Sequence, residues 1–147
     1  MFGVALAAAD SGSYIATMLL EIVPLYAALL GVFYLVLSGR AIRARRAARK
    51  AIGPLGDEAL DRHVRVHANF AEYAPFVLLL LAFAEIREAP EGLLHLACAG
   101  LVAGRVLHAW GVSRAPENFR FRIYGMMATF FALVVAITLL LASYLFG

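Results

Sequence analysis

The sequence predicts an all-α integral membrane protein, a bundle of four transmembrane helices. Three observations carry this prediction. First, 63% of the 147 residues are hydrophobic, against about 45–50% in ordinary soluble domains; a soluble fold of this size would leave a large apolar patch in water. Second, the apolar residues fall into four runs, near 14–38, 69–84, 93–111 and 123–146. Each approaches the ~20 residues that a helix needs to cross the hydrocarbon core. Third, the runs are continuous and rich in Leu and Ala, without the period-2 alternation of a lipid-facing barrel strand. A helix also pairs its backbone polar groups within one segment, as lipid demands.

The elements follow in order. Residues 1–13, MFGVALAAADSGS, read as a short leader; the stretch ALAAAD resembles a cleavage site, but no basic n-region precedes it, so a cleaved signal peptide is not expected. The first helix is predicted over about 14–48, with Glu21 and Pro24 near its start. The second is predicted over 57–86; its apolar part is short, so the polar turns before Asn69 must continue the same helix. The third spans 91–112 and contains Arg105 and His108, and the fourth spans 119–146. The breakers GPLGD and APEG separate helices. With no internal repeat, residues 1–147 read as a single domain.

Charge sets the orientation. Between the first two runs lie Arg40, Arg43, Arg45, Arg46, Arg49, Lys50, Arg62 and Arg65, and between the last two lie Arg114, Arg120 and Arg122. The remaining connection, EIREAPEG, has one arginine against three glutamates. Both basic connections therefore share one side. The positive-inside rule makes that side the cytoplasm and puts both termini opposite, in a bacterial inner membrane. The net charge of +3 thus reflects topology, and no nucleic-acid partner is expected. The lone Cys98 can form no intrachain disulfide and reads as a buried, inert thiol.

One polar constellation interrupts the apolar pattern. Arg65, Asn69 and Glu72 are spaced i, i+4, i+7, which stacks them on one helix face, while His67 and Phe70 point elsewhere. Charged groups within membrane helices are costly; they face a bundle interior or a wet cavity and mark functional sites. Read singly, each could instead snorkel to the interface. Arg105 and His108, Arg120 and Tyr124, and Arg43 are predicted at the same membrane depth. Together they predict a cationic pocket with a single carboxylate, Glu72. Such a pocket suits an anionic ligand that also carries an ammonium group: guanidinium groups bind carboxylates bidentately, and Glu72 either takes the ammonium or balances an arginine. His63 and His67 are i, i+4 but lack the glutamate of a zinc-peptidase helix, and no metal site is assigned.

The stretch RVHANFAEYAPF resembles the R-x-H-x-N-x-x-E-x-x-P signature of the MAPEG family, the membrane-associated proteins in eicosanoid and glutathione metabolism. GRVLHAWGVSRAP, RFRIYGMMATF and PLYAALLGVFYLVLSGRAIRAR extend the resemblance from about residue 14 onward, and its character is that of the bacterial branch. The resemblance implies four transmembrane helices per chain, a homotrimer, and glutathione bound between subunits on the cytoplasmic side. It implies that Arg43, Arg65, Asn69, Glu72, Arg105 and His108 bind glutathione. It places Arg120 near the sulfur and Tyr124 against the ligand, which makes these two the candidate catalytic residues.

Ala68 stands where the prostaglandin E synthase branch carries a second arginine, and Phe121 where it carries a serine. The resemblance therefore implies thiol chemistry in general. The longer loop RAPENFRFR leaves Arg122 as the alternative to Arg120. The expected function is that of a glutathione-dependent membrane transferase or peroxidase, which activates the thiol against lipophilic electrophiles that arrive among membrane lipids. The alternatives are a non-catalytic scaffold that binds lipid or thiol, and a transporter component suggested by the intramembrane charges alone.

Overall fold

The computed structural model describes residues 20–49 and 58–146. These form four helices: α1 (Ile22–Ala47), α2 (Glu58–Ile86), α3 (Glu91–Ser113) and α4 (Phe119–Leu145). All four are long and apolar enough to cross a membrane, and no strand occurs among the described residues. The leader, residues 14–19 and the GPLGD turn lie outside the described residues.

Helices α3 and α4 begin and end within a residue of prediction, and α2 ends at the predicted residue. The start of α1 differs: Leu20 and Glu21 are not helical, and α1 begins at Ile22. The reason is tertiary. No side chain of α1 caps its start; instead the Glu85 carboxylate, from the far end of α2, accepts the backbone N–H groups of Glu21 at 2.8 Å, Ile22 at 2.6 Å and Val23 at 2.9 Å. These are orphan donors at the positive end of a helix dipole, where an anion is favoured. Pro24 sits in that first turn, where its missing N–H costs nothing. Glu85→Ala is expected to destabilise the protein by about 2 kcal/mol, the loss of a multidentate cap, read as a lowered unfolding midpoint in detergent; Glu85→Gln should lose only part of this.

At its own end α2 closes with Glu88 at φ 56. Ala89 N–H donates to the Ala84 carbonyl at 3.0 Å, and Glu88 N–H to that of Glu85 at 2.9 Å, the paired closure that an αL residue permits.

The core runs along α2 as Phe70, Ala74, Val77, Leu81 and Ala84, against Leu30 and Leu37 of α1 and Leu94, Ala97 and Leu101 of α3. Helices α3 and α4 pack closest because small residues meet there. A Cβ on Gly104 would lie 2.8 Å from the Gly125 carbonyl oxygen; one on Gly125 would lie 2.5 Å from the His108 nitrogen; one on Gly111 would lie 2.6 Å from that of Arg122. Of the GxxxG pair in α3, only Gly104 serves this contact: a Cβ on Gly100 meets nothing nearer than the Phe131 ring at 4.0 Å, and Gly31 has nothing within 4 Å. Large apolar side chains cover the outside, among them Leu25, Val32, Leu35, Phe76, Met127, Val134 and Leu141. In lipid this exposure is the favourable arrangement.

Candidate functional site

A cavity of about 480 Å³ opens between the first half of α2, the end of α3 and the start of α4, lined by Glu58, Asp61, Arg62, Arg65, Ala68, Asn69, Glu72, His108, Val112, Glu117 and Arg122. Its volume lies in the ordinary range for small-molecule sites, about 300–1,000 Å³. Helix periodicity builds one wall: Glu58, Arg62, Arg65, Asn69 and Glu72 are spaced i, i+4, i+7, i+11, i+14, a stripe about 21 Å long at 1.5 Å per residue. The opposite wall forms where Gly111 lets the start of α4 press against α3, which brings Val112 and His108 beside Glu117 and Arg122. Asn118 holds this corner: its side-chain oxygen accepts from Phe121 N–H at 3.3 Å, and its own N–H donates to the Gly111 carbonyl at 3.0 Å.

The predicted residues divide into three groups. Arg65, Asn69, Glu72 and His108 line the cavity. Arg105 stands directly behind it, only 2% exposed, and donates to Asn69 Oδ1 at 2.7 Å, Thr129 Oγ1 at 2.5 Å and Met126 Sδ at 3.4 Å. Arg43, Arg120 and Tyr124 are exposed and outside the cavity. Arg120 instead borders a shallow depression formed by residues 114–120. Tyr124, one turn on, shares an outward stripe with Met127, Phe131 and Val134. The arginine of α4 that reaches the cavity is Arg122, paired with Glu117 at 3.0 Å.

The cavity is also less cationic than the spacing predicts. Four carboxylates line it rather than one: Glu58, Asp61, Glu72 and Glu117. Two of them are paired, Glu58 with Arg62 at 3.2 Å and Glu117 with Arg122. Glu58 and Asp61 are the acidic residues of the first turn of α2, where they complement its dipole. Counting only the apolar runs and their basic flanks overlooks them, although the 3.6-residue repeat through Arg65, extended backward, reaches Arg62 and Glu58. The resulting lining is zwitterionic, with guanidinium and carboxylate groups on the same wall.

Residues that face other helices have separate roles. His67 stacks on Tyr34 at 4.9 Å and donates from Nε2 to Ser38 Oγ at 3.1 Å, the serine hydrogen being given to the Tyr34 carbonyl at 2.8 Å. His63 Nδ1 donates to the Ala59 carbonyl at 2.6 Å. Among the described residues, no group of three or more His, Cys, Asp or Glu side chains is arranged to hold a metal ion.

This helix order, with the polar stripe of α2 facing the G-R-x-x-H turn of α3, can be set beside known proteins. Residues 23–142 match the MAPEG family. The chain belongs to the MAPEG family. This MAPEG protein is 34% identical over 113 residues to the "Inner membrane protein YecN" of Escherichia coli (strain K12), a match that covers 77% of this chain and 85% of that one. It stands at the same identity and coverage to the protein of that name from Escherichia coli O6:H1 (strain CFT073). With the four apolar helices, these matches make the MAPEG chain an integral membrane protein.

Proposed function

We propose that this protein binds glutathione in the α2–α3–α4 cavity and activates its thiol against lipophilic electrophiles, as a membrane transferase or peroxidase. The observation that carries the reading is the Arg65–Asn69–Glu72 stripe, which lines one cavity with Arg122 on the facing wall. Glutathione carries two carboxylates and one ammonium. Arg62 and Arg65 supply bidentate donors for a carboxylate, and Glu72 supplies an acceptor for the ammonium. Arg122, rather than Arg120, is the cation offered to the sulfur within a single chain. A free thiol has a pKa of about 8.5, and an adjacent cation lowers it. The thiolate then uses a sulfur lone pair to form a C–S bond, and the leaving group departs with its electron pair. The electrophile reaches the cavity from the lipid.

The assembly belongs to the same reading. Arg43, Arg120 and Tyr124 lie on outward faces, where they would meet a neighbouring copy in a homotrimer. The basic end of the bundle faces the cytoplasm, where glutathione is found, with both termini opposite.

Titration calorimetry of detergent-purified protein with reduced glutathione tests the site. Arg65→Ala and Glu72→Ala are each expected to weaken binding by about tenfold or more, since each strands a charged group of the ligand. Undiminished binding in both variants would remove glutathione from this cavity. Binding without conjugation across a broad panel of electrophiles would leave a non-catalytic thiol- or lipid-binding scaffold.

A further inference from the structure

A one-way relay of hydrogen bonds runs through the α2–α3–α4 interface and ends at the cavity. Thr129 gives its hydroxyl hydrogen to the Gly125 carbonyl at 2.9 Å, so its oxygen acts as an acceptor toward Arg105 Nη2 at 2.5 Å. Arg105 Nη1 donates to Asn69 at 2.7 Å. A guanidinium carries donors and no acceptor, so the Asn69 atom that faces it must be Oδ1. The amide nitrogen, with its two hydrogens, therefore takes the other branch of the side chain, and Asn69 lines the cavity. The reversed amide would set donor against donor beside a buried charge, a costly arrangement. Arg105 is only 2% exposed. The Arg62–Glu58 and Arg122–Glu117 ion pairs do not involve it, and its Nε has no hydrogen-bond partner. Its charge polarises the Asn69 amide and strengthens the outward N–H donors.

We infer that Arg105 is a positioning residue: it locks the Asn69 amide so that its N–H donors face the cavity, making that point a receiver for a carboxylate or carbonyl oxygen of the ligand. The identity of the ligand rests on the glutathione reading above; the orientation of the amide does not.

The isosteric change Asn69→Asp separates the two. It gives Arg105 a buried counter-ion while replacing the cavity-side donor with an acceptor. Thermal unfolding in detergent is expected to shift upward by a few degrees, and calorimetric affinity for reduced glutathione to fall by about tenfold or more. Stability and affinity thus move in opposite directions, which a merely structural role would not produce. Arg105→Lys keeps a donor-only group behind Asn69 and should retain affinity better than Arg105→Met, which frees the amide to rotate. Unchanged affinity in Asn69→Asp, or a lowered unfolding temperature, overturns the inference. If wild-type protein fails to bind glutathione, the functional reading falls with the ligand half of this one, while the direction of the Asn69→Asp temperature shift still decides whether Arg105 aligns the amide.

Discussion

Gly125→Val is expected to abolish the native bundle: the purified variant should elute as aggregate or unfold at room temperature in detergent conditions where wild type is stable. Even a single Cβ at this position would sit 2.5 Å from the His108 nitrogen, 2.7 Å from the Gly104 carbonyl oxygen and 2.8 Å from the His108 Cα. All three are backbone atoms, so no side-chain rotation relieves the clash, and α3 and α4 must separate. Overpacking by one or two methyl groups in a core costs about 1–3 kcal/mol and sometimes more, and valine exceeds that range because the obstacle is a helix backbone. Separation would also break the Arg105–Thr129 hydrogen bond, which spans the two helices, and leave Asn69 of α2 as the oxygen acceptor of a guanidinium in the membrane. Gly100→Val supplies the control. Its Cβ approaches only the Phe131 ring at 4.0 Å, so near-wild-type unfolding is expected there. Equal damage from both substitutions would show that general helix crowding, rather than the Gly104–Gly125 contact, limits stability.

On the proposed glutathione chemistry, Arg122→Ala is expected to lower kcat/KM for conjugation of a generic lipophilic electrophile by about a hundredfold, equivalent to ~2.7 kcal/mol of lost transition-state stabilisation. The same change should abolish the ultraviolet absorbance of bound thiolate at neutral pH. The effect is electrostatic. Arg122 is the α4 guanidinium that lines the cavity, and Arg120 borders a separate depression. A permanent cation in a partly dry site favours thiolate over thiol. Glu117, 3.0 Å from Arg122, holds the guanidinium at the rim but offsets part of its field. Glu117→Gln should therefore act oppositely and extend activity to lower pH. Loss of activity in Arg120→Ala with Arg122→Ala silent would transfer the role to an arginine contributed by a neighbouring copy.

Much of the site was legible in the sequence because helical spacing is a geometric rule. Residues at i, i+4 and i+7 share a face whatever they pack against, so Arg65, Asn69 and Glu72 line one wall once α2 is continuous through them. The G-R-x-x-H turn of α3 is placed at the same depth by its position near the basic end of its apolar run. Depth alone, however, does not fix direction around a helix axis. Arg120 and Arg122 differ by two residues, about 200° of rotation, and only the docking of α4 on α3 through Gly111 and Gly125 selects which of them meets the cavity. The same rotation carries Tyr124 outward. The extra carboxylates are less legible because Glu58, Asp61 and Glu117 lie outside the apolar runs, where charge reads as solvated surface; the first turn of α2 and the corner before α4 bring them to the cavity. Glu85 escaped notice for a different reason. Its partners are the backbone N–H groups of residues 21–23, more than sixty positions away, and backbone donors carry no sequence signature.

By itself, then, the sequence determined the solvent and the architecture: four apolar runs of membrane-spanning length require lipid, and runs without period-2 alternation select helices, which pair each backbone group inside its own segment, over a closed barrel. It also determined which polar residues share a helix face. The tertiary structure alone decided which faces meet. That choice rests on close backbone approach at Gly104, Gly111 and Gly125, on a buried guanidinium that donates to Asn69 and Thr129, and on a carboxylate that caps a distant helix. Each of these depends on distances between helices, and the periodicity of a single helix contains no such distances.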